Sequence, residues 1–258
     1  MHPDHLYKFR SLDGDNFERT RRILAEDELW FARASTFNDP FDCNPALSLE
    51  ATGDEYRKWL GGIQRKRTPH LSRLKIRALV GDQIRDFHKM GPEGRRAKLR
   101  ELMEEIDELV GVLSLVERCD HVLMWSHYAD SHRGLCLRFK VPREQSFFGE
   151  ARKVVYSPVR PVLNPVKDKI EEMVEKALLT KAESWRYEAE WRVIDRRSPH
   201  LYGKRPGPGL HRWLLPGCGV LASLSHQGCD EGSEKGFATA PGVVHELEEA
   251  EVERQPLL

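Results

Sequence analysis

Trp185-Arg186-Tyr187-Glu188-Ala189-Glu190-Trp191-Arg192-Val193-Ile194 is the stretch on which the reading of the fold turns. Its last residues are aromatic and β-branched, types that suit a pleated, half-buried surface, so the segment reads as a strand. In an alternating strand Glu188 and Glu190 fall on one face, two residues apart. Such a pair, flanked by aromatic rings, is either catalytic or paired with Arg186 and Arg192 on a solvated face.

Outward from this strand the chain reads as an α+β domain over residues 1–195. Leu6 to Arg10 predicts a first strand, and Leu12-Asp13-Gly14-Asp15-Asn16 supplies turn and capping chemistry for a helix from Phe17 to Ala25. Leu29 to Ala32 predicts a second strand, followed by the structured turn Ser35-Thr36-Phe37-Asn38-Asp39-Pro40-Phe41-Asp42. Residues 54–110 are charged and helical, with Leu99, Leu102, Met103, Ile106, Leu109 and Val110 recurring at three- and four-residue steps, and read as an insertion or lid. Strands are expected at Val112 to Val116, Gly134 to Phe139 and Val154 to Tyr156, and a helix from Asn164-Pro165 through Ala182. The sheet is expected to be split and largely antiparallel. Residues 196–258, rich in Gly, Glu and Ser, predict a weakly structured or divergent extension.

Composition narrows the chemistry. The 258 residues carry 41 Lys and Arg against 41 Asp and Glu, so no overall basic bias marks the chain as a nucleic-acid binder. Nowhere does it approach the roughly 20 consecutive apolar residues of a membrane span, and a cytoplasmic location is expected. Cys43, Cys119, Cys136, Cys218 and Cys229 are scattered without zinc-ligand spacing, so no metal is expected.

Four stretches stand out: Tyr7-Lys8-Phe9-Arg10, Asn38-Asp39-Pro40-Phe41-Asp42, Met124-Trp125-Ser126-His127-Tyr128-Ala129 and Trp185 to Arg192. Together they resemble the bacterial domain-of-unknown-function 2971 family, over about residues 6 to 195. The order of the elements is also similar to that of ADP-ribosyltransferase folds. That likeness implies an arginine for the dinucleotide at Arg10, a Ser-Thr element at Ser35 and Thr36, and a catalytic Glu-x-Glu pair at Glu188 and Glu190. Ala34-Ser35-Thr36 departs from a full Ser-Thr-Ser, so the likeness rests on order and residue type.

The chemistry such a site would need can be stated independently. Breaking the bond between nicotinamide and ribose develops an oxocarbenium-like cation, which a carboxylate at Glu190 would stabilise while Glu188 deprotonates the acceptor. Arg10 would clamp the pyrophosphate of NAD, and Tyr7, Phe31, Trp125 or Tyr128 would stack on its rings, with His127 beside them. The expected activity is ADP-ribosyl transfer or NAD glycohydrolysis, toxin-like or defensive, with a protein or nucleic-acid acceptor. Structural roles compete throughout: Arg10 pairing with Asp39 or Asp42, Asn38 to Asp42 building a turn, His127 a core histidine and the tryptophans a core or pocket wall. A second function class is a non-enzymatic module binding nucleic acid or protein through the basic segment Arg65 to Lys89. A third is a metal-dependent hydrolase using Asp39, Asp42 and His127.

Overall fold

Strand β1 (His5–Arg10) ends in a turn where Gly14, at φ 48°, lets Asn16 and Phe17 donate their N–H groups to Asp13 and Gly14 and start helix α1 (Asp15–Glu26). The computed structural model describes residues 2–26, 28–141, 147–196, 210–211, 220–223 and 238–239. Two short strands, β2 (Leu29–Trp30) and β3 (Ala46–Leu47), precede three helices: α2 (Gly53–Arg67), α3 (Arg73–Lys89) and α4 (Pro92–Leu109). These occupy the expected insertion. Next come β4 (Val110–Val116), α5 (Val122–Tyr128), β5 (Leu135–Lys140), β6 (Arg152–Lys153), β7 (Val155–Ser157), β8 (Val162–Leu163), α6 (Ile170–Leu178), β9 (Thr180–Ala182) and β10 (Glu190–Arg196). Three short strands follow: β11 (Leu210–His211), β12 (Val220–Ser223) and β13 (Ala238–Thr239).

The main sheet runs β13-β12-β5-β1-β4-β10-β6 and every neighbouring pair is antiparallel. The architecture is therefore mixed helix and strand around a mostly antiparallel sheet. Its middle is narrow: β1 pairs along its whole length with β5 but shares only Tyr7↔Val116 in register with β4. Lys8 reaches across this seam, its Nζ donating to the Ser114 carbonyl at 2.9 Å. Most of the extension after residue 195 lies outside the described residues. In its described pieces β12 pairs with β5 and β11 with β2.

Alternation along the strands gives the sheet two unlike faces. Leu6, Leu113, Leu115, Leu137, Phe139 and Val193 meet Ile23 and Leu24 of α1 in the main core. The opposite face carries Phe9, Val116 and Cys136 against Met124 and Trp125 of α5, and Val112 against Ala177 and Leu178 of α6. At about 25 cal/mol per Å² these fully buried side chains contribute roughly 1.5–3 kcal/mol each.

Two expectations are corrected. The helix predicted from Asn164 through Ala182 is confined to Ile170–Leu178. Before it, Asn164 closes its own turn, accepting at its carbonyl from Lys167 and Asp168 while its N–H donates to Asp168 Oδ2 at 2.7 Å. After it, Thr180–Ala182 forms a parallel ladder with β7. The strand expected to hold both glutamates begins only at Glu190, because Glu183–Glu188 is a 3₁₀ turn that ends in Ala189 at φ 46°, ψ 50°.

The turn between α5 and β5 winds through Asp130, Ser131 and His132, all at positive φ, and lays Gly134 directly on β1. A Cβ at Gly134 would stand 2.1 Å from the Arg10 carbonyl oxygen and 2.9 Å from Ala129 Cα. Backbone cannot yield as a flexible side chain does, so Gly134→Ala is expected to destabilise the fold by about 1–3 kcal/mol. Urea unfolding would read this, and an unchanged midpoint would refute the close approach.

Candidate functional site

The 37–43 loop is built to aim one carboxylate inward. Asp39 Oδ1 accepts from the Phe41 N–H at 2.9 Å, and the Asp42 N–H donates to the Asp39 carbonyl at 3.1 Å. Cys43, at φ 52°, then turns the chain away, leaving Asp42 only 5 % exposed under the loop. From the other side, Ala189 in the left-handed region swings Glu188 back toward Glu190, a conformation that costs a non-glycine residue roughly 1–2 kcal/mol. The two glutamates thus converge through a bend rather than through strand alternation.

They converge on Lys181, whose Nζ lies 2.6 Å from Glu188 Oε2, 3.0 Å from Glu190 Oε2 and 3.5 Å from Asp42 Oδ2. Arg192 completes the network. Its Nε lies 2.7 Å from Glu190 Oε1, while Nη2 meets Glu190 Oε2 at 2.9 Å and Asp42 Oδ2 at 2.7 Å. Its Nη1 donates to the Leu178 carbonyl at 2.8 Å and approaches Cys43 Sγ at 3.0 Å. The Tyr128 hydroxyl donates to Glu188 Oε1 at 2.7 Å and accepts from Asn38 Nδ2 at 3.4 Å, and the Glu190 N–H donates to the Tyr156 oxygen at 2.8 Å. All five charged side chains are buried.

Burial opposes ionisation of both glutamates, and the partners decide the outcome. For Glu190, Arg192 and Lys181 outweigh burial and hold the carboxyl down at about 2. For Glu188 burial wins, offset only in part by Lys181 and by the Tyr128 hydrogen bond, and its pKa is raised. Burial also pushes the Tyr128 and Tyr156 phenols and the Cys43 thiol up. Lys181 and Arg192 would be lowered by burial, but the surrounding carboxylates carry both above their ordinary values. One carboxyl inclined to keep a proton thus sits beside one that stays ionised, the division of labour that acid–base chemistry uses. Three acids against two bases leave one net negative charge when Glu188 is ionised and none when it is protonated.

Two cavities flank the network and share Asp39 and Pro40 as a wall. One, of about 460 Å³, is lined by Asn38, Phe41, Arg160, Lys181 and Trp185 among others, with the Lys181 ammonium 5.2 Å from the Trp185 ring centre. The other, of about 1000 Å³, lies between α4, α6 and the 33–47 loop and reaches Ser35, Asp42 and Cys43. Both fall within the size range of small-molecule sites.

Of the residues singled out from sequence, the structure brings together Asn38, Asp42, Tyr128, Glu188, Glu190 and Arg192. Arg10 lies on the opposite face of the sheet, with Nε donating to Thr20 Oγ1 and Nη2 to Asn16 of α1. The partner of Asp42 is Arg192, not Arg10. Ser35 caps against Asp107 of α4, through Oγ at 2.6 Å and its N–H at 3.0 Å, and Thr36 donates to the Arg33 carbonyl. Trp125 and Phe31 are core residues, the Trp125 Nε1 donating to the Cys119 carbonyl at 2.6 Å. Tyr7 packs against the same core from a half-buried position. His127 is exposed, its ring edge-on to Tyr128 and far from the core placement considered for it. Among the described residues no three His, Cys, Asp or Glu side chains converge as a metal site, and Asp42 is already held by Arg192 and Lys181.

Sequence reasoning missed Lys181 and the burial of Arg192. Lys181 lay in a stretch read as helix, with no local mark of its role. Arg192 carried a usable signal: on β10 it alternates with core residues Trp191 and Val193 and shares its face with Ile194, so that face was not a solvated one.

Residues 124–193 match the family described as "Protein of unknown function (DUF2971)", the uncharacterised family that the four stretches resemble. The matched segment includes Tyr128, Lys181, Glu188, Glu190 and Arg192. No curated protein and no solved structure matches the chain. No helix among the described residues is long and apolar enough to cross a membrane.

Proposed function

We propose that the chain cleaves the nicotinamide–ribose bond of a nicotinamide dinucleotide, passing the ADP-ribosyl group to water or to an acceptor on an ADP-ribosyltransferase-like arrangement. One observation carries the reading: widely separated motifs run into a single buried network whose two glutamates have opposite protonation tendencies. Asn38 and Asp42, Tyr128, and Glu188 with Arg192 come from three of the motifs. Lys8 of the fourth reaches Ser114, whose side chain bonds Glu190.

In this reading the electron pair of the C1′–N bond leaves with nicotinamide, and the cation left on the ribose is stabilised by Glu190 and by the excess negative charge of the network. Water, or an acceptor hydroxyl, attacks C1′ and gives its proton to Glu188, whose proton affinity burial raises above that of an ordinary carboxylate. Lys181, on the wall of the 460 Å³ cavity, is the cation assigned to the pyrophosphate, in place of Arg10 on the far side of the sheet. Binding there gives Lys181 new anionic partners and loosens its hold on Glu188. Trp185 and Phe41 offer ring surfaces to the bases.

Release of nicotinamide from NAD by the purified protein, with and without cell lysate as acceptor, tests this. Glu188→Gln keeps the size of the side chain and is expected to lower release about 100-fold or more, with the melting temperature showing that the variant is folded. No release by the wild-type chain, together with no rise in melting temperature at millimolar NAD, would remove the reading. The network would then be a device that fixes the 37–43 loop to the sheet, and the chain a binding module.

A further inference from the structure

We propose that the α2–α3 hairpin binds a single nucleic-acid strand in the groove between its helices, independently of the Glu188–Glu190 site. The chain is neutral overall, but its charge is segregated. Residues 53–91 hold ten Lys and Arg against four Asp and Glu, a net +6 that leaves −6 on the rest. A groove of about 890 Å³ runs between α2 and α3, and Arg57, Lys58, Arg65, Arg73 and Arg77 line it with the single acid Asp54.

Asp54 is already paired, 2.6 Å from Arg57. Lys58, Arg65, Arg73 and Arg77 are exposed and have no ion-pair partner among the described residues. Other surface arginines are matched to nearby acids, as with Arg21 and Glu18 along α1 or Arg133 and Asp130 in the turn after α5. Cations held close together without counter-charges repel one another, and a polyanion relieves that repulsion while releasing its own counterions.

The groove also has an apolar element. Leu74, which sits beside Arg73 on α3 and lines the groove, is 79 % exposed, and Gly61 opposite presents open backbone with nothing within 4 Å of where its Cβ would be. A phosphate chain flanked by apolar base surface matches cations around an exposed leucine better than an acidic peptide does. A slot between two helices also admits one strand more readily than the breadth of a duplex.

Fluorescence anisotropy of the full chain with a labelled 20-nucleotide single strand, of DNA and of RNA, tests the assignment. Four unpaired cations correspond to about four phosphate contacts and a log–log salt slope of about −3, so affinity should fall about fiftyfold between 50 and 200 mM salt. The triple variant Arg65→Glu, Arg73→Glu, Arg77→Glu should lose binding at least tenfold with an unchanged melting temperature, and the matching triple Lys variant should keep most of it. Absence of binding at 50 mM salt, or undiminished binding by the Glu variant, overturns the proposal. Equal affinity for polyglutamate overturns the choice of nucleic acid, and tighter binding of a duplex overturns the choice of a single strand. None of these readouts depends on NAD, so they stand apart from the fate of the proposed activity.

Discussion

Arg192→Met is expected to destabilise the fold by about 3–5 kcal/mol, the usual result of removing one partner from a buried ion network. The volume is nearly kept, so the loss is electrostatic. Arg192 is wholly buried and serves Glu190 through two nitrogens, Asp42 through one, and the Leu178 carbonyl besides. Without it Asp42 and Glu190 retain Lys181 alone, and three buried carboxylates face one ammonium. Arg192→Lys keeps the charge but not the planar fork that spans two acids, and should fall in between. Urea unfolding would measure both, with a drop of roughly 10 °C in melting temperature for the methionine variant. Adding Asp42→Asn should cost less in the Arg192→Met background than in the wild type, because the carboxylate it removes no longer has its main partner. A loss below about 1 kcal/mol would mean that water reaches the network and screens it.

The same residues show what was legible beforehand. Local pattern and capping chemistry placed β1 and α1, and marked 54–110 as helical, but periodicity there outlined only the helix ending near Leu109 and left the other two unseparated. The Glu-Ala-Glu pattern looked like continuous strand, and nothing local announces that Ala189 adopts a left-handed conformation, which tertiary contacts impose. The burial of Lys181 depends on β9 pairing with β7, a parallel contact between segments some twenty-five residues apart, closed around a turn that looked like helix. Arg10 illustrates a subtler limit. Leu6 and Phe9 reveal that β1 has two buried faces, but assigning Arg10 to the face away from Glu190 requires the register of β1 on β4, which only the folded sheet supplies. Residue types therefore pointed to two carboxylates that share one buried network and to an arginine that lies apart from them.

Stability should also depend on pH in a way that separates the two glutamates. Glu190 has its pKa held down from 4.5 to about 2 in the folded chain, so the folded state binds its proton less tightly than the unfolded chain does. Its contribution, about 3 kcal/mol for a side chain that is almost wholly buried, is fully present above its ordinary pKa and is lost as pH falls from 4.5 toward 2. Glu188 acts in the opposite sense. Its raised pKa means that the folded state takes up a proton first, so stability rises as pH falls through that value toward 4.5. Urea unfolding between pH 3 and 8 should therefore give a maximum at mildly acidic pH, with a steep acid limb. Glu188→Gln should remove the rise above pH 4.5 and leave the acid limb in place, whereas Arg192→Met should flatten the acid limb by removing the cation that lies closest to Glu190. If Glu188→Gln instead abolished the acid limb, Glu188 would be the carboxyl held ionised and the division of roles between the two glutamates would be reversed.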